Sequence, residues 1–193
     1  MKLKQKQNES ALVCAARKGS RDALRALLEH NWDWLRGLVH SIVLNAADTD
    51  DVLQDICVRL INNIASLREP ERFRPWLAIL AQRQALRYRM QRAKKAVPLN
   101  EELANAQPDQ KAIKPFENLE QTEQYQQVLK ELGRLPEKYR QVFMLKYTSE
   151  LTYNQIAEVL DIPLTTVQIR LVRARRMIYN QIIGKDKNKV QER

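Results

Sequence analysis

The chain has 193 residues, with 33 Lys and Arg against 23 Asp and Glu, and a formal net charge of +10 at neutral pH. Its 44% hydrophobic and 29% charged residues provide enough apolar side chains for a folded core and too many for a wholly disordered chain. The four glycines argue against Gly-rich phosphate loops, dinucleotide fingerprints and turn-dense β structure, so the fold is predicted to be all-α.

The cysteines and histidines are too few and too widely spaced for a disulfide scaffold or a zinc motif. No metal or cofactor is therefore predicted. The N-terminus is too polar for a signal peptide, and no apolar run reaches the ~18 residues of a transmembrane helix. We expect a cytoplasmic protein whose positive charge favours a nucleic-acid partner.

Local charge divides the chain into four segments. Residues 10–95 form a helical module that is basic toward its end, and residues 96–123 form an acidic, proline-containing stretch. Residues 124–184 form a second basic helical module, and residues 185–193 a basic tail. The pattern predicts two helical domains joined by an extended acidic linker.

Four helices are predicted in the first module. Apolar residues over 24–43 indicate two helices around Trp32 and Trp34, both expected in the core. A wide apolar face over 52–64 predicts a third helix, and a fourth is expected from about Pro75 to Arg92.

Acidic residues open the third helix. Asp48, Thr49 and Asp50 suit an N-terminal cap, which is a structural role. Asp51 and Asp55 stand at i and i+4 and repel each other, so they also form an acidic ridge that could serve a basic partner.

Aromatic and basic side chains occur together along residues 72–90. Such a surface can hold backbone phosphates and stack unpaired bases, although Trp76 also suits a core position. On a helical wheel Arg83 projects into an apolar arc with Trp76 and Met90, so it must be paired or lie near a ligand.

The second module has the pattern of a DNA-binding helix-turn-helix. Helices are predicted at Tyr125–Leu132, Glu137–Tyr147, Thr152–Leu160 and Leu164–Ile183, with the turn at residues 161–163. The wheel of the last helix gives a core stripe of Leu164, Val167, Leu171, Ala174 and Ile178.

The face opposite that stripe carries Thr165, Ile169, Val172, Arg173 and Arg176, with Thr166 at its edge. A solvated helix face is the alternative, but two β-branched apolar residues between arginines favour contact with base edges. Arg170 and Arg175 flank the core stripe, where they could reach phosphates.

Together these segments resemble a bacterial RNA polymerase sigma factor of the small, two-domain extracytoplasmic-function (ECF) type, over roughly residues 10–95 and 122–183. The resemblance implies binding to core RNA polymerase, promoter recognition and transcription initiation, without a small-molecule substrate or catalysis. Core RNA polymerase, promoter DNA and an anti-sigma factor are the implied partners.

The resemblance also implies roles for particular residues. Those that match the helix docking on the coiled coil of the largest polymerase subunit are Asp50, Asp51, Gln54 and Asp55. Those implied in binding and melting the −10 element are Arg72, Arg74, Trp76, Arg83 and Arg87. Those implied in binding the −35 element are Thr165, Thr166, Gln168, Ile169, Arg170, Val172, Arg173 and Arg176.

The sequence departs from the family pattern at two places. Arg83 and Arg87 stand where Asn and Asp are common, and Gln168 and Ile169 replace a common basic-Ser pair. An unusual promoter preference is expected. A stand-alone helix-turn-helix regulator, a nucleic-acid enzyme and a sigma-like protein without promoter melting are the alternatives.

Overall fold

The structure is a computed structural model that describes residues 2–95 and 132–191, with side chains described over residues 8–94 and 132–180. These ranges contain two short 3-10 helices, Ile64–Ser66 and Pro70–Arg72, and no strand. Their α-helices are α1 Lys2–Arg17, α2 Arg21–Val43, α3 Ala46–Asn63, α4 Phe73–Lys95, α5 Glu137–Tyr147, α6 Tyr153–Leu160 and α7 Leu164–Gln191. The all-α prediction is confirmed.

The predicted acidic linker, residues 96–123, lies outside the described residues, as does most of the predicted helix Tyr125–Leu132. We call residues 8–95 the first half of the molecule and residues 132–191 the second half. The last helix continues through Gly184, so its predicted end at Ile183 was wrong.

Helix α2 is continuous where two helices were predicted. Ser20 caps its start by accepting a hydrogen bond from the Ala23 amide, and Leu44 ends it in the left-handed region at φ 63°. Nothing between them breaks the helix. Trp34 is buried, whereas Trp32, two residues away and on another side of the helix, is 36% exposed, so its predicted core position was wrong.

The cap of α3 also differs from the prediction. Asn45, and not Asp48, Thr49 or Asp50, caps this helix by accepting a hydrogen bond from the Asp48 amide. The Asp48 carboxylate instead accepts a hydrogen bond from the Tyr88 hydroxyl at 2.8 Å and pairs with Arg92. It therefore ties α3 to α4.

One continuous apolar core runs through both halves of the molecule. Helix α2 packs against α1, α3 and α4 and also against α5, while α4 packs against α6. Val142, Leu145 and Ile156 of the second half belong to the same buried cluster as Leu35 and Leu77 of the first. The two halves are thus packed directly on each other.

Gly37 of α2 faces the end of the Met144 side chain on α5. A Cβ atom at Gly37 would lie 2.7 Å from the terminal methyl of Met144. A real Cβ atom does not come that close to another heavy atom, so a larger residue at position 37 would require the flexible end of Met144 to move.

Helices α6 and α7 form the predicted helix-turn-helix. Thr152 and Gln155 form a reciprocal capping box at the start of α6. Asp161 ends α6 in the left-handed region at φ 50°, and the Ile162 amide donates to the Ala157 carbonyl at 3.1 Å. This sharp reversal turns the chain into α7.

Replacing the N-cap of the helix-turn-helix, Thr152→Ala, is expected to lower the free energy of unfolding by about 1 kcal/mol. The change removes an acceptor for the Gln155 amide and half of the capping box. Urea unfolding followed by circular dichroism measures it, and Thr152→Ser, which keeps the hydroxyl, should restore most of the loss.

No helix within residues 2–95 or 132–191 has both the length and the apolar character needed to span a membrane.

Candidate functional site

The residues that match the polymerase-docking helix are exposed, including both members of the predicted acidic ridge. We call these four residues the acidic face of α3: Asp50, Asp51, Gln54 and Asp55. Asp50 pairs with Arg36 of α2 at 3.2 Å, an ion pair with both side chains partly in solvent. Two apolar side chains further along the same helix, Val58 and Ile61, are 57% and 52% exposed. The acidic face therefore continues into exposed apolar side chains. Ile61 had been predicted on the apolar face over residues 52–64, and that position was wrong, while Val58 was not predicted at all.

Two arginines beside the first turn of α4 are paired with acidic residues, most of them in the second half of the molecule. Arg72 donates to both carboxylate oxygens of Glu158 at 2.6 Å. Arg74 lies 3.1 Å from Glu9 and 3.8 Å from Glu150, and donates to the Ser149 carbonyl at 3.4 Å. No sequence pattern indicated these partners, because Glu158 is 86 residues from Arg72 in the chain.

The remaining predicted melting residues form an open stripe along α4. Arg83 and Arg87 are exposed, so the expectation that Arg83 enters an apolar arc was wrong. The buried side of α4 is instead made by Phe73, Leu77 and three alanines, and Met90 is 61% exposed. Trp76 is half-buried, packs against the core and lies 6.1 Å from the Phe73 ring centre.

The side chains of α7 lie on the sides of the helix that the wheel predicted, except for Leu164 of the core stripe. Ile169 and Val172 are 51% and 62% exposed, while Val167 and Leu171 are buried. Leu164 was assigned to the core stripe and is 39% exposed. It is the first residue of α7, and because helical side chains tilt toward the N-terminus, it points past the end of the helix.

The other candidate residues of that outer face are also accessible. Thr165, Gln168, Arg173 and Arg176 are exposed, and Thr166 and Arg170 are partly so. We call these six residues together with Ile169 and Val172 the recognition face.

Two tyrosines of α5 interact with arginines of α7, and no local pattern in the sequence indicated them. A hydrogen bond from Arg173 lowers the pKa of Tyr139. Arg175, which the wheel placed within reach of phosphates, donates from Nε to the Tyr147 hydroxyl at 2.5 Å, with its guanidinium 5.5 Å from the ring centre. Arg175 is therefore oriented by the neighbouring helix.

A buried arginine joins the two halves of the molecule. Arg140 is 5% exposed and donates to the Ser41 carbonyl at 3.0 Å and to the Gly133 carbonyl at 2.8 Å. Ser41 lies in the last turn of α2, where carbonyls lack helical partners and favour a cation. Burial lowers the pKa of Arg140, and nearby Glu137 opposes that effect.

The comparisons with known proteins cover both halves. Residues 27–95 match the model of sigma-70 region 2, and residues 125–178 match sigma-70, region 4. The chain is 27% identical over 173 residues to the ECF RNA polymerase sigma factor SigW of Bacillus subtilis, covering 86% of this chain and 92% of the relative. It is 27% identical over 180 residues to the ECF RNA polymerase sigma-E factor of Escherichia coli K12, covering 90% and 94%.

Solved structures share the fold. CnrH, in complex with the cytosolic domain of CnrY, aligns with a TM-score of 0.62 at 22% identity, over 92% of this chain and 98% of that one. The sigma factor RpoE of Bartonella quintana, in complex with the anti-sigma factor NepR, aligns with a TM-score of 0.62 at 18% identity, over 82% and 95%.

The order and position of the two regions define a class of protein: the chain belongs to the sigma-70 family of RNA polymerase sigma factors. Its relatives place it in the ECF type, as the resemblance predicted. It binds core RNA polymerase and directs it to promoters. The match to region 2 disfavours the stand-alone regulator, because such a protein would not need that module.

Proposed function

We propose that three surfaces of this sigma factor each bind a different partner. The acidic face of α3 docks on core RNA polymerase, the arginines and Trp76 around α4 bind the −10 element as it opens, and the recognition face of α7 binds the −35 element. The observation that carries the proposal is the exposure of an acidic helix face and a basic helix face on different parts of one fold.

The acidic face of α3 suits a basic partner for electrostatic reasons. Asp51 and Asp55 are one helical turn apart and both exposed, so each repels the other in the free protein. A cationic coiled coil would relieve that repulsion. The exposed side chains of Val58 and Ile61 beside them would add apolar contact to the same interface.

The recognition face combines side chains that suit the phosphate backbone with side chains that suit base edges. Arg173 and Arg176 can contact phosphates or guanine, and Gln168 can pair with adenine. The exposed Ile169 and Val172 can pack against thymine methyl groups. This composition supports a −35 preference that differs from that of relatives with a basic-Ser pair.

The surface around α4 suits an opened strand. Arg83 and Arg87 are exposed one turn apart, and the half-buried Trp76 lies on the same side of the helix. Cations beside an aromatic ring can hold phosphates and stack unpaired bases. We propose that melting is retained. Full transcription from a pre-melted promoter with none from the duplex would contradict this.

We also propose that the molecule acts in the cytoplasm without catalysis of its own, and that an anti-sigma factor controls it. A solved protein with this fold is a sigma factor in complex with an anti-sigma factor. The described residues contain no cluster of three or more metal-ligating side chains.

We propose residues 10–95 and 124–184 as the two functional domains, joined by the linker at residues 96–123 and followed by a tail at 185–193.

The proposal is tested by measuring the affinity of the purified protein for core RNA polymerase and for free promoter DNA under the same conditions. Tight polymerase binding with weak free-DNA binding is expected. The reverse result would restore the stand-alone regulator.

The substitution Ile169→Ser is expected to change −35 preference more than overall affinity. It removes an exposed apolar contact from the centre of the recognition face, worth ~1–3 kcal/mol of discrimination at one base pair, and leaves the arginines in place. Selection from a randomised promoter library measures it. If both proteins return the same consensus, Ile169 does not contact bases. Ala11→Ser, an exposed and charge-neutral change on α1, serves as the control.

A further inference from the structure

The centre of the recognition face is apolar. Ile169 and Val172 are 51% and 62% exposed, and helical geometry places them on the same side of α7, one turn apart. Thr165, also exposed, lies one turn before Ile169 on that side. We call these three methyl-bearing residues the methyl strip. Water gives aliphatic groups no favourable contact, whereas an apolar partner would remove their surface from water.

Cationic side chains lie on both sides of the methyl strip. Arg173 is exposed on one side, and Arg175 lies on the other side, where it donates to the Tyr147 hydroxyl. In the major groove of DNA the phosphates line the two margins and the base edges form the floor. The strip therefore matches the floor of the groove, while the arginines match its margins.

Thymine carries a methyl group at this floor, and the other three standard bases do not. We propose that Ile169 and Val172 bind the C5-methyl groups of thymines on two neighbouring base pairs, so that the −35 element of this sigma factor contains adjacent A·T pairs. Cβ atoms three residues apart on a helix are about 5–6 Å from each other, and base pairs stack ~3.4 Å apart, so the two side chains reach neighbouring pairs. This inference rests on the proposed binding of the −35 element by the recognition face.

The same side chains disfavour G·C pairs. Isoleucine and valine neither donate nor accept hydrogen bonds, so a guanine carbonyl or a cytosine amino group beneath them would lose water without gaining a partner. Gln168, which directly precedes Ile169, is exposed and has an amide that can pair with adenine. Because an A·T pair presents the adenine edge and the thymine methyl in one groove, Gln168, Ile169 and Val172 favour the same kind of base pair.

The test removes methyl groups from the DNA and leaves the protein unchanged. A −35 sequence is first selected from a randomised promoter library with the holoenzyme. Each of its thymines is then replaced singly by deoxyuridine, which pairs with adenine but lacks the methyl group. On two neighbouring base pairs, each replacement should weaken holoenzyme binding about fourfold, the loss expected for one buried methyl group. Replacements outside the −35 and −10 elements should have no effect.

Protein variants assign each methyl contact to a side chain. Ile169→Ser should abolish the effect of deoxyuridine on one of the two base pairs, and Val172→Ser should abolish it on the other. Ile169→Val and Val172→Ile keep an aliphatic side chain and should keep both effects. Tyr179→Ser is the matched control, because it removes another exposed apolar side chain of α7, 63% exposed, and should leave both effects unchanged.

The contrary results are distinguishable from one another. If a −35 sequence is selected but deoxyuridine weakens binding at none of its positions, the methyl contact is wrong and the proposed −35 role of α7 stands. If no −35 sequence is selected, that role fails and the methyl contact fails with it. If deoxyuridine has no effect and Ile169→Ser and Val172→Ser weaken binding to core RNA polymerase without DNA, the methyl strip contacts protein and not bases.

Discussion

Replacing Asp51 and Asp55 together by lysine is expected to weaken binding to core RNA polymerase by at least about 100-fold while α3 remains helical. The change reverses two exposed charges at the centre of the acidic face. Like charges across an interface cost several kcal/mol, and 100-fold corresponds to about 2.7 kcal/mol. Two lysines at i and i+4 repel about as much as two aspartates, so the helix itself should be unaffected. Binding is measured with labelled protein, and helicity by circular dichroism.

A matched control is available on α2. Glu29 and Asp33 are also exposed and also stand at i and i+4, and replacing both by lysine makes the same change in net charge. That variant should bind polymerase within about threefold of the unmodified protein. Retained binding by a helical Asp51→Lys, Asp55→Lys protein would show that the acidic face of α3 is not the docking surface.

Truncating the buried arginine between the halves, Arg140→Ala, is expected to lower the free energy of unfolding by about 2–4 kcal/mol. It removes charged hydrogen bonds and leaves the Ser41 and Gly133 carbonyls without this donor. The tryptophans report the effect selectively, since all three, at positions 32, 34 and 76, belong to the first half whereas Arg140 belongs to the second. The urea midpoint followed by tryptophan fluorescence should therefore fall.

Two further variants test whether the loss of stability depends on the charge of Arg140 and on its buried position. Arg140→Lys keeps a cation near the end of α2 but has a single donor group, so it should recover part of the loss. Arg176→Ala removes an exposed charge from the same half and should change stability by less than about 0.5 kcal/mol. A fluorescence midpoint that Arg140→Ala leaves unchanged would contradict the prediction that Arg140 stabilises the first half through its contact with Ser41.

Local patterns were sufficient to predict much of this fold. The helix α3 and the turn between α6 and α7 depend on residues close together in the chain, and both were predicted correctly, although Ile61 of the predicted apolar face is exposed. The exposed positions of Ile169 and Val172 followed from the same helical geometry. The resemblance to sigma factors then supplied the class of function, which the region matches confirm.

The errors have two physical origins. The wheel of α4 was misjudged because its buried side is lined by Ala78, Ala81 and Ala85, small residues that pack closely but contribute little to an apolar pattern. The pairings Arg72 with Glu158 and Arg140 with the Ser41 carbonyl link residues 86 and 99 positions apart. Such contacts are set by how the halves pack, and a single sequence does not encode them in any local spacing.

The arginines that could reach DNA differ in how far they are held before DNA is present. Arg175 donates to the Tyr147 hydroxyl and lies over its ring, whereas Arg83 and Arg87 are exposed. Ordering a long side chain on binding costs about 0.5–1.5 kcal/mol, and Arg175 has already lost much of that freedom. On the proposed assignment of the two surfaces, α7 therefore binds duplex at a lower entropic cost than the α4 surface binds an opened strand. We expect −35 contact to precede −10 contact for this reason.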